Sequence, residues 1–573
     1  MPRSYKPLPV AGRGTPHDAA VSRRRLLQVA VAAGLTARAG WPAAALAQEQ
    51  AAPTEGRLAQ EAQPFSFDAL SEEMRLLAQE PYREPETPGD FPRPDSYDAY
   101  RRIRFRQEAA RWATPEPEDA GARAETPHEM IPPGREDSDQ WRPIDSFQLH
   151  AFPLGWLFEE PVRLYEVEGD QAREMLFSTA DFDYDDMEAE VADDAVLPGI
   201  AGFRINAPLN RPDKMDELIA FLGASYFRAL GRGSVYGASA RGVAIDTATS
   251  RAEEFPRFTR FWLQRPTGDG PLVIHAALDG PSLAGAFRFT VDPGEETVMD
   301  VTARLYPRED IGQLGIAPLT SMFLFSEKNR AEFDDYRDAV HDSDGLRIVR
   351  ASGDVVWRPL NNPPRLAGSY LSETSPVSFG LCQRDRDFDN YQDLGARYEK
   401  RPSLIVEPEG DWGQGIVRLV EIPTDLEAND NIVAFWIPEQ EARAGDSLEF
   451  RYRLHWGNLS QDEPTELARV GETRAGAGGV SGVEAQENSR KFVIDFEGGL
   501  LGGMPADAAV ELVHSSHGGE VTVATLDRLE GRDIWRAVLD VTAEDGGLVE
   551  LSAHIAGYGR KLTEIWVCQW INA

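Results

Sequence analysis

Every second residue of Leu448, Phe450, Tyr452, Leu454 and Trp456 is apolar, and Glu449, Arg451, Arg453 and His455 fill the gaps. A period of two is the period of a strand, so this stretch predicts a sheet with one buried face. The same habit runs through most of the chain. Phe147, Leu149 and Ala151 alternate with polar neighbours from Ile144 onward, and Val162, Leu164 and Tyr165 follow a proline. Strands are expected up to about Val406, and again at Phe492–Phe496, Val521–Ala524, Leu548–Ile555 and Ile565–Ile571 between Gly- and Asp-rich turns. Two helices are expected. Leu70, Met74 and Leu77 set a helical spacing over Phe67–Ala78, while Met215, Leu218, Ile219, Leu222, Tyr226 and Phe227 form a stripe over Asp213–Leu230 behind Pro212. The Gly-rich stretch Val470–Gly482 reads as an exposed insert. The pattern predicts an all-β protein, with a large β-sandwich over residues 64–400 and a smaller one over 401–573. A chain of 573 residues exceeds what one core usually holds, about 250 to 300 residues.

The N-terminus reads as an export signal. Arg23-Arg24-Arg25 precede an apolar run from Leu26 to Ala37, and Ala45-Leu46-Ala47 fits a small-residue cleavage site. The paired arginines match the twin-arginine pattern, so residues 1–47 are expected to be removed after delivery to the periplasm, leaving 48–63 as a flexible segment. No later segment reads as spanning a bilayer, so membrane insertion of the mature chain is not expected. The formal net charge of −36 argues against a nucleic-acid partner and leaves a neutral polysaccharide unaffected. With only Cys382 and Cys568, no disulfide framework or cysteine metal site is expected, and two buried thiols are the simpler state. No cofactor and no metal site is expected.

Three stretches carry candidate chemistry. On the strand Val298–Tyr306, Asp300, Thr302, Arg304 and Tyr306 share one face. That face fits the floor of a sugar groove and equally a solvated Asp–Arg pair. Gln383–Tyr391 packs Arg384, Asp385, Arg386, Asp387 and Asp389 beside aromatics, as a binding loop or an exposed salt-bridge loop would. Trp357, Arg358, Asn361 and Asn362 offer a ring, a planar fork and two amides for hydroxyl recognition. His341-Asp342-Ser343-Asp344-Gly345 has half the ligands of a calcium loop and fits a turn better. There is no phosphate-binding glycine loop, nucleophile elbow or His-Glu-x-x-His motif, which disfavours nucleotide chemistry and zinc hydrolysis.

The segments Gly202–Pro212, Phe221–Leu230, Tyr236–Gly242, Glu254–Phe258, Ala317–Phe323, Trp357–Asn362 and Asn429–Ala434 resemble the glucan biosynthesis D and G proteins over residues 64–456. The twin-arginine leader resembles the D branch. The resemblance implies a mutarotase-like supersandwich followed by an immunoglobulin-like sandwich. It also implies a periplasmic role with osmoregulated glucans of β-1,2-linked glucose, as an inverting endo-glucanase. Its motifs place Asp387 as general acid, Asp300 on the base side, and Tyr226, Arg228, Arg241, Trp357, Arg358, Asn361 and Asn362 along a groove, with Arg384 and Arg386 holding Asp387. Inversion would separate the two carboxyls by about 6.5 to 9.5 Å or more. The alternative is a non-catalytic glucan-binding scaffold beside a membrane glucan synthase. A sugar epimerase or lyase has only fold analogy behind it.

Overall fold

The computed structural model describes residues 58–113 (except 90, 93 and 95), 146–184, 191, 194–266, 270–458, 466–479 and 488–572. The expected leader at 1–47 and most of the 48–63 segment lie outside the described residues.

The architecture is all-β. A sixteen-stranded sheet faces a ten-stranded one, and the main core lies between them. Aromatic rings set that contact. Phe203 and Phe221 of the smaller sheet meet Phe261 and Phe289 of the larger at centroid separations of 4.9 to 5.4 Å, mostly edge to face. Rings of this size remove about 150 to 250 Å² each from water, which makes the cluster a principal source of the cohesion between the sheets.

The expected helix at the N-terminal side forms as Phe67–Leu77. Ser66 caps it by accepting from the Ala69 N–H at 3.1 Å, and Leu70 and Met74 are buried against the outer face of the larger sheet. The second expected helix does not exist. Its residues form the strands Lys214–Leu222 and Tyr226–Ala229, joined by a turn in which Gly223 and Ala224 take φ of 76° and 41°. Leu218 to Leu222 are buried without interruption, because the core covers one face of this strand and loops cover the other. A strand buried on both faces loses its alternation, and its apolar residues then fall at helical spacing by accident.

The expected boundary at 400/401 also needs correction. Ser403–Glu409 and Leu448–Gly457 pair within the larger sheet, the latter directly against Thr297–Pro307, and Gln414–Glu421 and Ile432–Pro438 belong to the smaller sheet. The first sandwich therefore extends through Gly457. Beyond it, Arg469–Ala477, Ser489–Glu497, Ile534–Thr542 and Glu520–Arg528 form a separate four-stranded sheet. The start of the expected glycine-rich insert is thus a strand with Val470 fully buried, and residues 480–487 lie outside the described residues. This sheet packs on Val510–His517, Leu548–Gly557 and Ile565–Ile571, which continue the larger sheet through parallel pairing of Trp357 with Trp566. Cys382 and Cys568 are free, buried thiols in this second core, and burial pushes Cys382 up to about 11.

Candidate active site

Strand pleating builds one wall of a cavity. Phe227 and Ala240 point into the core, so Tyr226, Arg228, Ser239 and Arg241 project from the opposite face of the ten-stranded sheet. Loops carrying Asp342, Asp393–Arg401 and Glu427–Asp430 close the other sides of a pocket of about 430 Å³.

Four carboxylates line it, Asp342, Asp393, Glu427 and Asp430, and of these Asp342 and Asp430 are buried. Asp430 is held by its neighbour Asn431, whose side chain accepts from the Phe323 N–H at 2.8 Å and donates to the Phe323 and Ile422 carbonyls at 2.9 and 3.0 Å. Three such bonds from one buried amide fix the backbone on which Asp430 sits. Asp342 follows the short strand Val340–His341, and its N–H donates to the Met322 carbonyl at 2.8 Å. Gln383 secures that strand, bonding both the ring and the carbonyl of His341 as well as the Tyr391 hydroxyl and the Tyr398 carbonyl.

Burial raises the Asp430 carboxyl to about 7, the adjacent Asp342 charge adds to the rise, and Arg241, Arg228 and Arg401 oppose it. Burial likewise raises Asp342, against the pull of Arg401, whose Nε lies 3.4 Å from Asp342 Oδ1. A pair of acids in one desolvated cleft, with one carboxyl retaining its proton near neutrality, can give and take protons around a substrate oxygen.

The arginines are fixed in turn. Arg228 bonds Glu217 at 3.0 Å and lies 4.3 Å from the Tyr236 ring, while Arg241 bonds Glu253 at 3.1 Å and stacks 4.7 Å from the Tyr226 ring. The Tyr226 hydroxyl is buried at the pocket and has no hydrogen-bond partner among the described residues. A buried, unpaired hydroxyl is costly unless a ligand or water meets it.

Of the residues singled out in the sequence, Tyr226 and Arg228 line this pocket and Arg241 supports it. The others lie elsewhere. Asp300 stands on the outer face of the larger sheet, 50% exposed and paired with Arg453 at 2.7 Å. Asp387 is an exposed helix cap whose Oδ1 accepts from the Asp389 N–H at 3.0 Å. Among the described residues the two share no partner, and neither lines the pocket. Arg384 turns away from Asp387 to pair with Glu564 at 2.7 Å and lies 3.5 Å from the Trp357 ring, which is itself in the second core. Arg386 donates to the backbone carbonyls of Glu399 and Arg401. Arg358 is fully buried against Glu421 at 2.9 Å, and the same carboxylate accepts from the Asn361 N–H. The Asn362 amide is spent on Leu324 and Thr424. These side chains hold loops and strands together.

Asp342 and Asp430 were not assigned chemistry from the sequence. Both stood in stretches already singled out, and the available signal was a carboxylate one or two residues from an apolar strand: Val340–His341 for one, Ile432–Pro438 for the other.

A family model described as "Periplasmic glucan biosynthesis protein, MdoG" matches residues 127–570. A glucans biosynthesis protein G of Cereibacter sphaeroides is 54% identical over 561 residues, covering 97% of this chain and 99% of that protein. A glucans biosynthesis protein D 1 of Ralstonia nicotianae is 43% identical over 89% of this chain and 92% of its own length. A probable glucans biosynthesis protein D of Shewanella oneidensis is 40% identical over 88% of each. Relatives named G and D both align along most of the chain, so the resemblance to the D branch alone is not singled out. The chain belongs to the periplasmic glucan biosynthesis protein family.

Proposed function

We propose that the protein acts in the periplasm as a glycoside hydrolase on β-1,2-linked glucan, with Asp430 as general acid and Asp342 as general base. The proton on Asp430 passes to the glycosidic oxygen as its bond to the anomeric carbon breaks. Asp342 takes a proton from a water whose oxygen bonds to that carbon on the opposite face, so the configuration inverts. Burial raises the Asp342 carboxyl, Arg401 and Arg228 oppose that rise, and the Tyr226 hydroxyl is available to a sugar hydroxyl. The observation that carries the reading is a buried carboxyl near 7 beside a second carboxyl in one pocket. The family supports the glucan, and the resemblance supports its β-1,2 linkage. The resemblance instead gives these roles to Asp387 and Asp300, and the variants below distinguish the two assignments.

The test is incubation of purified protein with linear β-1,2-glucan, following new reducing ends for wild type and for Asp430→Asn, Asp342→Asn, Asp387→Asn and Asp300→Asn. Loss in the first two variants with retention in the last two supports the reading. Full activity in Asp430→Asn overturns it. Saturable binding without cleavage by wild type would leave a glucan-binding role beside a membrane glucan synthase.

A further inference from the structure

Arg337 ties together three loops at the rim of the pocket. Its guanidinium bonds Asp335 at 2.7 Å, Asp393 at 2.9 Å and Glu427 at 2.8 Å, and Asp393 and Glu427 both line the pocket. The Asp335 carboxylate also accepts from the Arg337 N–H at 3.0 Å, so the backbone on either side of Tyr336 is held by charge-assisted bonds. Yet Tyr336 itself is 72% exposed, with the Arg337 guanidinium 5.8 Å from its ring. Leu394 stands between Asp393 and Gly395 of the pocket wall and is 78% exposed. Rigid loops of ion pairs thus hold two large apolar side chains out in water, on the solvent side of the wall.

From this geometry we infer that Tyr336 and Leu394 form an outer sugar subsite, on which a glucose ring of a chain emerging from the pocket stacks. The inference rests on the proposed glucan-cleaving reading and extends it. A pocket of about 430 Å³ is near the lower end of the size that encloses even a drug-sized ligand, so a polymer must continue outside it. The C–H face of a pyranose is apolar and matches a fixed aromatic face, while the ring hydroxyls stay in water. Because the backbone carrying the platform is already tied down through Arg337, less conformational freedom is lost when the chain settles on it.

The experiment is a length series of linear β-1,2-glucans, with KM and kcat measured for wild type, Tyr336→Ala and Tyr336→Phe, and binding measured by calorimetry in the Asp430→Asn background. Tyr336→Ala should raise KM and Kd for long chains on the order of tenfold and leave both unchanged for the shortest chains that still bind. Tyr336→Phe should match wild type, because the ring carries the contact, and kcat should not move. Equal effects at every length, or none at any length, would overturn the subsite. Wild type that binds the series without cutting it would refute the hydrolase reading, while the length dependence of Kd would still decide the subsite. No binding of any chain would refute both.

Discussion

The Asp430 carboxyl should make the folded protein less stable as pH rises. Its pKa stands at about 7, whereas an unfolded aspartate titrates near about 3.9. Between these values the folded state keeps a proton that the unfolded chain has lost, so stability is fully present below about 4 and falls as pH climbs through 7. The separation corresponds to about 4 kcal/mol, an upper figure because Asp430 and Asp342 share part of the same repulsion. Asp430→Asn keeps the shape, removes the charge and relieves Asp342 at the same time. The variant should therefore match wild type near pH 4 and exceed it by several kcal/mol at pH 8. Urea denaturation followed by tryptophan fluorescence at both pH values measures this. Glu327, raised to about 7, and Asp344, raised to about 6, carry the same sign but persist in the variant, so the difference between the two proteins isolates Asp430. Parallel pH dependence in wild type and variant would refute the placement of a desolvated carboxyl at this position, and with it the argument for a proton donor.

Initial rates on β-1,2-glucan should fall as pH rises through about 7, where the Asp430 proton is lost, and a rate that climbs steadily to pH 9 would contradict its role as acid. Arg358→Leu strands the buried Glu421 carboxylate and should cost about 3 to 5 kcal/mol in urea denaturation, whereas a sugar-contacting arginine would alter KM with little loss of stability. Asp300→Asn breaks a half-exposed pair and should cost less than about 1 kcal/mol while leaving cleavage intact. Asn431→Ala removes three hydrogen bonds, at about 1 kcal/mol each, and should lower kcat more than it raises KM because Asp430 loses its anchor.

Strands with one wet face were legible in the sequence because alternation survives there, as in Thr297–Pro307, where Met299, Val301, Ala303 and Leu305 all enter the core. Lys214–Leu222 was illegible for the opposite reason: its second half, Leu218–Leu222, is covered on both sides and shows an unbroken apolar run that fits a helix equally well. The same limit governed the site. Charged residues crowded into one loop, such as Arg384 and Arg386, attract attention, yet Arg384 pairs with Glu564 from far along the chain and Arg386 bonds the nearby Arg401 carbonyl, contacts that the loop's own sequence does not show. Asp342 and Asp430 gain their character only when folding brings them together under the same loops, and no local pattern records that meeting. Tyr226, Arg228 and Arg241, expected from the family resemblance, lie at or beside this pocket, a proximity that periodicity does not encode.

The parallel pairing of Trp357 with Trp566 has a kinetic consequence. The partners lie about two hundred positions apart, and contacts of such long range form late because the loop between them must first be closed. Until then Val355–Pro359 presents an open hydrogen-bonding edge to any extended chain nearby. The shared sheet therefore makes the second sandwich a cap for the first, covering an edge that would otherwise be open to pairing with another extended chain.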